Sequence, residues 1–263
     1  MTRCTVLIAS ALAGLAVSGL SSPGPARAAD MPVKATYAPA PVYNWYGFYV
    51  GGHAGLAWSR DSVDYVAATG GLLIGTNVPA SLTGDASGFM GGIHWGSNYQ
   101  FDRIVLGLES DFSFMDLDRT GSATLAGVTT TASHGLDWFG TTRVRAGYVV
   151  HPTLLVYATG GLANGRAEVS SAHVGGGFAG GATARDTLWG WALGAGIEYA
   201  AGPWLFRVEY LHYDLGDLDY AYAVAPAATV TTSTNVSGDI VRAGLSYKFN
   251  WTPLDILLGR RTF

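Results

Sequence analysis

Charged residues and cysteine are scarce in this chain, and a helical membrane span is missing. Asp, Glu, Lys and Arg make up only 13% of the 263 residues, and the one cysteine is Cys4. Beyond the N-terminal region no apolar run approaches the ~18 residues that a membrane-spanning helix requires, which excludes helical spans. The formal net charge is −4, so the chain lacks the basic surface of a nucleic-acid-binding protein, and we predict no nucleic-acid partner.

The first 28 residues have the organisation of a secretory signal peptide. Arg3 supplies a positive charge, residues 6–20 form an apolar stretch, and a small-residue A-x-A cleavage site ends at Ala28. A transmembrane helix is the alternative, but the stretch has only 15 residues, two of them serine and two glycine. Cys4 precedes this stretch, so it cannot be a lipoprotein acylation site. Cleavage after Ala28 leaves a mature chain without cysteine, which suits export through an oxidising periplasm.

A proline-rich segment follows the predicted cleavage site. Residues 29–44 contain Pro32, Pro39 and Pro41 and show no hydrophobic periodicity. This composition is typical of an extended linker, which we place on the periplasmic side. A short adhesive or cell-wall-binding arm is the alternative.

The segment from Tyr46 to Ser59 shows the pattern around which the rest of the chain is organised. Every second residue from Tyr46 is apolar or small, and the residues between them are mostly small or polar, which is the alternation of a β-strand. Phe48 and Trp58 bound its apolar face, ten residues apart. At roughly 3.3 Å per residue and a tilt of about 40°, such a segment rises about 25 Å, the height of the apolar band on a transmembrane barrel.

The same aromatic spacing returns at Phe89 and Tyr99, Trp138 and Tyr148, and Trp189 and Tyr199. Short turn signals near 102, 152 and 202 alternate with longer polar or glycine-rich stretches, as in outer-membrane barrels. We predict an all-β fold: an eight-stranded antiparallel up-and-down transmembrane β-barrel over residues 45–249, with short periplasmic turns and long outer loops. The predicted strands are 46–59, 87–100, 104–118, 136–150, 154–168, 186–200, 204–218 and 236–249.

Four segments, in this order, resemble a known family. They are WYGFYVGGHAGLAWS, LLVYATGGLANG, VEYLHYDLG and VRAGLSYKF. Together they are similar to the small outer-membrane immunogenic proteins of Gram-negative bacteria, which are OmpA- or OmpX-like eight-stranded barrels of the porin family. The resemblance implies an outer-membrane location, contact with lipid and lipopolysaccharide, insertion by the outer-membrane assembly machinery, and host or envelope ligands at the loops.

The resemblance favours a structural, surface-exposed barrel that contributes to envelope integrity and surface interactions. It supplies no shared catalytic residues, so we expect neither an enzyme nor a cofactor. A narrow porin-like channel for ions or small solutes is the alternative. Haemin binding, which occurs in some members of the family, is a further alternative function.

The end of the barrel departs from the family pattern. In such families the last strand ends on an aromatic residue that the assembly machinery reads, and Gly244, Tyr247 and Phe249 resemble this signal. The chain nevertheless continues to Phe263, which lacks a strand pattern before it. We therefore predict that the barrel ends at Phe249 and that residues 250–263 form a periplasmic tail.

Strand parity predicts that nine charged side chains point into the barrel. On strand 104–118 the lipid face contains Ile104, Leu106 and Leu108, which turns Glu109 and Asp111 inward. A cation facing lipid near the midplane would cost ~2–4 kcal/mol, so the alternation is strongly enforced. We interpret the inward charges as a structural network that fills the barrel; an ion path or proton relay is the alternative. The nine residues are Glu109, Asp111, Arg143, Arg145, Glu198, Arg207, Glu209, Arg242 and Lys248.

His53 and His94 lie on the inward face of the first two predicted strands. Aligning the aromatic ends of these strands, Phe48 with Tyr99 and Trp58 with Phe89, places the two imidazoles opposite or diagonal to each other. Two imidazoles could hold a metal or haem iron, but no third ligand can be assigned. We therefore predict polar filling and no metal site.

A second polar cluster lies where the seventh predicted strand meets the fourth outer loop. It contains His212, Asp214, Asp217 and Asp219. Histidine and carboxylates at a barrel rim could act as general bases or Ca²⁺ ligands, but no serine–histidine pair accompanies them. We predict no catalytic residues; a divalent cation shared with lipopolysaccharide phosphates is the alternative.

Overall fold

The computed structural model describes residues 43–59, 62–83 and 86–259. The predicted signal peptide, 1–28, and nearly all of the predicted linker, 29–44, lie outside these ranges, so cleavage after Ala28 stays a prediction. No helix in the described ranges is long and apolar enough to cross a bilayer. The described residues form β1 (Gly47–Ser59), β2 (Ser62–Ala68), β3 (Ser81–Thr83), β4 (Ala86–Phe101), β5 (Ile104–Leu125), β6 (Val128–His151), β7 (Leu154–Gly175), β8 (Phe178–Ala201), β9 (Trp204–Val224), β10 (Ala228–Lys248) and α1 (Pro253–Leu257).

Eight long strands close into a ring. β1 pairs antiparallel with β4 on one side and with β10 on the other, and β4 to β10 pair in sequence order. The predicted eight-stranded up-and-down barrel is therefore confirmed. β2 pairs with the outer part of β10, just beyond the end of β1, so the β2–β3 hairpin continues the wall outward.

The outer connections are long, as predicted, but they consist mostly of strand. β5 continues to Leu125 and β6 begins at Val128, so the turn contains only Ala126 and Gly127 instead of a loop over 119–135. Both turn residues have positive φ, 46° and 78°, as a two-residue hairpin turn requires. The β7–β8 connection also has two residues, 176–177, and the β9–β10 connection has three, 225–227.

The outer halves of these strands were predicted as loops because the alternation of apolar and polar side chains is reversed there. Within the membrane band the outward side chains are apolar because they face lipid. Beyond it the outward side chains meet water, and the inward ones fill a core; Val128, Ala132 and Leu136 on β6 are buried for this reason. An apolar-inward, polar-outward strand therefore does not match the pattern that identified the spanning segments.

Two strands change the parity of their inward side chains on the way out. On β6 the inward positions change from odd-numbered at Phe139 to even-numbered at Leu136, across a register shift between them. On β9 the change falls between Leu215 and Leu218, where Gly216 has a φ of 79°. These irregularities are β-bulges, which add one residue to a strand and redirect the side chains after it.

The outer wall of the lower half exposes large apolar side chains. On β5, Leu108 and Phe114 are 53% and 68% exposed, in agreement with the predicted lipid face. Strands β5 to β10 have 21–24 residues. At roughly 3.3 Å per residue and a tilt of about 40°, strands of this length rise about 50–60 Å along the barrel axis. The apolar band of a barrel is only ~25 Å tall. About half of the ring therefore stands beyond the membrane; we call this part, residues 62–83, 117–136, 167–188 and 215–236, the outer lobe.

An apolar core fills the outer lobe and continues down to the upper part of the membrane band. The first outer connection contributes Leu72 and Val78, which are fully buried. Above the charged layer the core side chains come from all sides of the ring. They include Met90, Met115, Leu117, Phe139, Leu211 and Tyr213.

Trp45 closes the periplasmic end of the ring. Its side chain is fully buried, and its backbone N–H donates to Gln100 Oε1 at 2.7 Å. Just before it, the N–H of Tyr43 donates to the carbonyl of Pro152 at 2.9 Å. The period-two alternation of the strands did not predict this closure. The other buried members of the apolar cluster are Tyr49, Val105, Val149, Leu155, Tyr157, Ala200 and Leu205.

Beyond β10 the chain forms the short helix α1. Its start is fixed by a capping box, in which Asp255 Oδ2 accepts the Thr252 N–H at 2.7 Å and Thr252 Oγ1 accepts the Asp255 N–H at 3.4 Å. The predicted tail, 250–263, is described as far as Gly259, and its last four residues lie outside the described ranges.

Candidate functional site: the charged lumen

The inward parity of β5, β6, β8, β9 and β10 brings the predicted charges into the lumen. Across neighbouring strands, three pairs of opposite charge face each other directly: Glu109 with Arg143, Glu198 with Arg207, and Glu209 with Arg242. All nine side chains have exposed fractions of 0–6%. They are Glu109, Asp111, Arg143, Arg145, Glu198, Arg207, Glu209, Arg242 and Lys248.

Arg143 lies at the centre of the network. Its Nη2 donates to Glu109 Oε1 and to Asp111 Oδ2, both at 2.9 Å. Its Nη1 donates to Glu209 Oε1 at 3.2 Å, and its Nε donates to Thr141 Oγ1 at 2.9 Å. One guanidinium therefore joins carboxylates from two strands, as its planar fork of donors allows.

Arg242 joins two of the same carboxylates from the opposite wall. Its Nη2 lies 2.6 Å from Glu209 Oε2 and 3.0 Å from Asp111 Oδ2. Its Nε donates to Glu209 Oε2 at 2.7 Å. β5, β6, β9 and β10 are thus linked across the lumen, independently of their backbone ladders.

The other two arginines lie on the periplasmic side of this centre. Arg207 Nη1 donates to Glu109 Oε2 at 2.5 Å. Arg145 Nη2 donates to Glu198 Oε2 at 3.2 Å. Four arginines therefore meet four carboxylates, and the network is neutral as a whole. Neutrality matters because an unpaired charge in a low-dielectric interior is far more costly than a paired one.

Two buried phenols, which were not among the predicted residues, complete the network. The Tyr49 hydroxyl donates to Glu109 Oε2 at 2.6 Å and accepts from Arg145 Nη1 at 2.9 Å. The Tyr157 hydroxyl donates to Glu209 Oε1 at 3.1 Å, and the Arg145 guanidinium lies 4.0 Å from the Tyr157 ring centroid. Their inward parity was readable from the same alternation that identified the charges.

Strand glycines make room for these large side chains. A Cβ at Gly196 would lie 2.6 Å from the Tyr157 hydroxyl, and one at Gly96 would overlap the Tyr49 hydroxyl. A Cβ at Gly244 would lie 3.0 Å from Arg207 Nε. These three glycines therefore leave space for side chains that cross the lumen.

Lys248 corrects the predicted extent of the network. It is buried and points inward, but its Nζ donates to the Tyr46 carbonyl at 3.0 Å and to Asn250 Oδ1 at 2.9 Å. Within the described ranges it forms no ion pair. It is the last residue of β10, at the periplasmic end of the lumen and away from the carboxylates in the middle, so the network contains eight of the nine predicted residues.

His53 and His94 contact each other diagonally, with 3.1 Å between their Nδ1 atoms. Arg242 Nη1 lies 3.3 Å from His53 Nε2. Because a guanidinium can only donate hydrogen bonds, His53 Nε2 must be the acceptor. In a neutral pair, His53 Nδ1–H then donates to His94 Nδ1, and His94 Nε2–H donates to Ser246 Oγ at 2.7 Å. Both rings are satisfied within the protein.

The aligned aromatic ends predicted the wrong register for these two strands. Phe48 pairs with Ser97 rather than Tyr99, and His53 pairs with Gly92. Strands in a barrel are tilted and staggered, so residues at equal height are not direct partners. Within the described ranges no group of three or more His, Cys, Asp or Glu residues is placed to hold a metal ion.

The rim cluster is dispersed in the structure. His212 Nδ1 lies 2.9 Å from Asp239 Oδ1 on β10, a partner that the sequence analysis missed. Asp214 Oδ1 instead accepts the Gly216 N–H at 2.8 Å, where it supports the β9 bulge. Asp217 Oδ1 accepts from Asn235 Nδ2 at 3.0 Å. Asp219 pairs with Ser233 across β9 and β10.

The outer lobe contains a further buried polar cluster, which was not predicted from the sequence. His173 Nε2 lies 2.7 Å from the Tyr222 hydroxyl, and its Nδ1 lies 2.9 Å from Thr130 Oγ1. Ser171 Oγ joins the hydroxyls of Tyr222 and Tyr65 at 2.8 and 2.9 Å. Burial lowers the pKa of His173 and raises the pKa of Tyr65 to about 12.

The three residues of the predicted assembly signal lie on the closing strand and just after it. Gly244 faces Arg207 in the lumen. Tyr247 is on the outer wall, where its ring packs 5.1 Å from the ring of Phe249. The Phe249 N–H donates to the Phe48 carbonyl at 2.7 Å, which continues the contact with β1.

Comparisons with known proteins identify the family. The model of the outer membrane protein beta-barrel domain matches residues 15–249. The 31 kDa outer-membrane immunogenic protein of Brucella melitensis biotype 1 is 35% identical over 257 residues, which cover 93% of this chain and 99% of that protein. The 22 kDa outer membrane protein of Rhizobium leguminosarum bv. viciae is 30% identical over 196 residues, 73% of this chain and 72% of that protein.

Among solved structures, the outer membrane protein OprG from Pseudomonas aeruginosa is similar to 80% of this chain and 99% of its own, with a TM-score of 0.49 and 15% identity. The ring of eight strands and its apolar outer wall agree with the family match. The chain belongs to the outer membrane protein beta-barrel domain family and is an outer-membrane protein related to the 31 kDa immunogenic proteins of Brucella.

Proposed function

We propose that this protein is a closed, structural outer-membrane barrel that holds a folded lobe on the cell surface and contributes in this way to envelope integrity and surface interactions. The observation that carries the proposal is that the ring is filled at three successive heights. Trp45 closes the periplasmic end, the charge network occupies the middle, and the apolar core fills the outer part. The role needs no catalytic step and no cofactor.

The charge network supports a rigid filling rather than an ion path. Each of the four arginines is held by a carboxylate at 3.2 Å or less. Breaking a buried pair by removing one partner costs ~3–5 kcal/mol, and a permeating ion would have to disturb several pairs. Eight strands enclose an interior just wide enough for side chains, whereas water-filled porins have 16 or more.

The apolar layer above the network is a second barrier. Met90, Phe139, Leu211 and Tyr213 are fully buried in it. An ion that left the charged layer toward the outside would lose its hydration shell among side chains that cannot replace it. The same layer argues against haemin binding at His53, because the imidazoles lie beneath it and are satisfied by each other, by serine hydroxyls and by Arg242.

The outer lobe provides the surface for external contacts. Its strands are joined by the turns at residues 126–127, 176–177 and 225–227 and are supported by a continuous core. In its described residues, such a lobe presents mostly sheet surface to host or envelope ligands. The relatives in Brucella are named for their immunogenicity, which agrees with an exposed and folded surface.

Conductance tests the proposal directly. Purified protein in planar bilayers should show no large, long-lived openings. A general porin, measured in parallel, is the positive control for conductance. The Trp45→Ala variant should remain closed as well, because the charge network and the apolar core still fill the ring. Steady conductance on the scale of the general porin in the wild-type protein would contradict the proposal and favour a channel.

A further inference from the structure

The segment that follows the last strand runs along the outside of the wall. The Phe48 N–H donates to the Trp251 carbonyl at 2.7 Å, so the chain stays beside β1 after leaving β10. The Trp251 ring stacks on the ring of Phe48, with 5.5 Å between centroids and 15° between planes. Phe48 has the same parity as Val50 and Leu56 on the apolar outer face of β1. Trp251 therefore joins the aromatic residues at the periplasmic edge of that face.

The segment continues across β1 to the edge of β4. The Tyr99 hydroxyl donates to Thr252 Oγ1 at 3.4 Å, and the Tyr46 hydroxyl donates to Asp255 Oδ2. Tyr46 and Tyr99 pack edge to face, with 5.7 Å between centroids. Asp255 is only 5% exposed and also forms the capping box with Thr252. The start of α1 is thus attached to the outer face of the rim by specific polar contacts.

Among the residues that the structure describes, none covers the apolar side chains of α1 and its C-cap. Ile256 is 67% exposed and Leu257 is 81% exposed, although both are strongly apolar. Leu254 and Leu258, at 44% and 57%, extend the same patch. A patch of four large apolar residues, three on a five-residue helix and one at its C-cap, would be unfavourable in water.

We propose that this segment, residues 251–258, is an interfacial anchor that inserts its apolar side chains into the lipid at the periplasmic edge of the barrel. The patch is continuous with the lipid-facing wall through Trp251 and Phe48. Tyrosine and tryptophan side chains are typical of this depth, where the hydrocarbon meets the polar headgroups. Lipid covers the neighbouring wall, so it can cover the patch without any further partner.

Site-directed spin labelling in liposomes tests the anchor. The mature chain predicted from the sequence has no cysteine, so Leu257→Cys gives one labelling site. Leu108→Cys, on the lipid-facing wall, and Arg103→Cys, in a periplasmic turn, are the reference variants. Heat-modifiable migration in gels verifies that each labelled barrel is folded, and all three positions are exposed on the protein surface.

The accessibility of each label to oxygen, which partitions into lipid, and to a water-soluble nickel chelate distinguishes the possible partners. We expect the oxygen-to-nickel ratio at position 257 to be close to that at 108 and at least several-fold above that at 103. A ratio equal to that at 103 would place the segment in water and overturn the proposal. Low accessibility to both reagents would indicate a second protein or a second copy of the chain, and would overturn it too. Ile256→Cys provides an independent repeat one residue earlier.

Discussion

At the scale of single residues, Arg143 shows how the lumen stays folded. Its side chain has no exposed surface and contacts three carboxylates, Glu109, Asp111 and Glu209, within 3.2 Å. The four arginines and four carboxylates of the network compensate one another, so the loss of one cation leaves a net negative charge in a space that water does not reach. The cost therefore comes less from the lost contacts than from the carboxylates left behind.

Arg143→Ala should consequently lower the free energy of unfolding by ~3–5 kcal/mol. Urea unfolding in lipid vesicles, followed by tryptophan fluorescence and gel migration, measures this change. Adding Asp111→Asn to Arg143→Ala should recover part of the loss, because the double variant restores neutrality.

The matched control is Arg185→Ala. Arg185 Nη2 lies 2.8 Å from Glu168 Oε1, as short as the lumen pairs, but the two side chains are 57% and 34% exposed. Solvent-exposed pairs contribute little to stability because water screens the two charges. Equal unfolding midpoints for Arg143→Ala, Arg185→Ala and the wild type would show that the lumen charges are not energetically coupled.

At the scale of elements, the outer halves of β6, β7 and β9 meet at a buried histidine. His173 is fully buried, and the groups that face it are the hydroxyls of Thr130 from β6 and Tyr222 from β9, and the Tyr65 ring from β2. None of these carries a charge that would stabilise an imidazolium. Burial accordingly lowers the pKa of His173 below its ordinary value.

The outer lobe should therefore become less stable as the pH falls. The folded lobe keeps His173 neutral, whereas the unfolded lobe binds a proton below a pKa of about 6.5, so acid favours opening by up to ~1.4 kcal/mol per pH unit. Hydrogen exchange of the β6–β7 outer amides, corrected for intrinsic rates, should show less protection at pH 5.5 than at pH 7.5. His173→Gln should remove the difference; an unchanged difference in that variant would assign the effect to another group.

The closing strand and the segment after it should have separable roles. Deletion of residues 250–263 should leave a heat-modifiable barrel, because Gly244, Tyr247 and Phe249 remain as the predicted assembly signal and β10 keeps its pairing with β1 and β9. Gel migration of outer-membrane fractions, with and without boiling, measures this outcome. If the truncated chain failed to insert while Phe249→Ala was harmless, the signal would lie in the deleted residues instead.

At the scale of the whole molecule, the ring is divided by height into zones with different physical requirements. The membrane band is apolar outside and holds the charge network in the middle of its interior, whereas the interior of the outer lobe is mostly apolar, apart from the polar cluster around His173. Bulges in β6 and β9 lie near the boundary, where the parity of the inward side chains changes. The same strands therefore enclose both the charge network of the lumen and the apolar core of the outer lobe.

The amino-acid sequence by itself determined the membrane barrel: its eight strands, its periplasmic turns, and the inward side of every lumen charge. These follow from an alternation of period two and from the high cost of a charge in lipid, both of which act locally. Only the tertiary structure decided the partners of Arg143, the separation of Lys248 from the network, the register of His53 and the closure by Trp45. Such features depend on strand stagger and on contacts between residues far apart in the chain. The outer lobe was not predicted because its alternation is reversed: its outward side chains meet water and its inward ones form a core. Only the closed ring shows which face of these strands is the core.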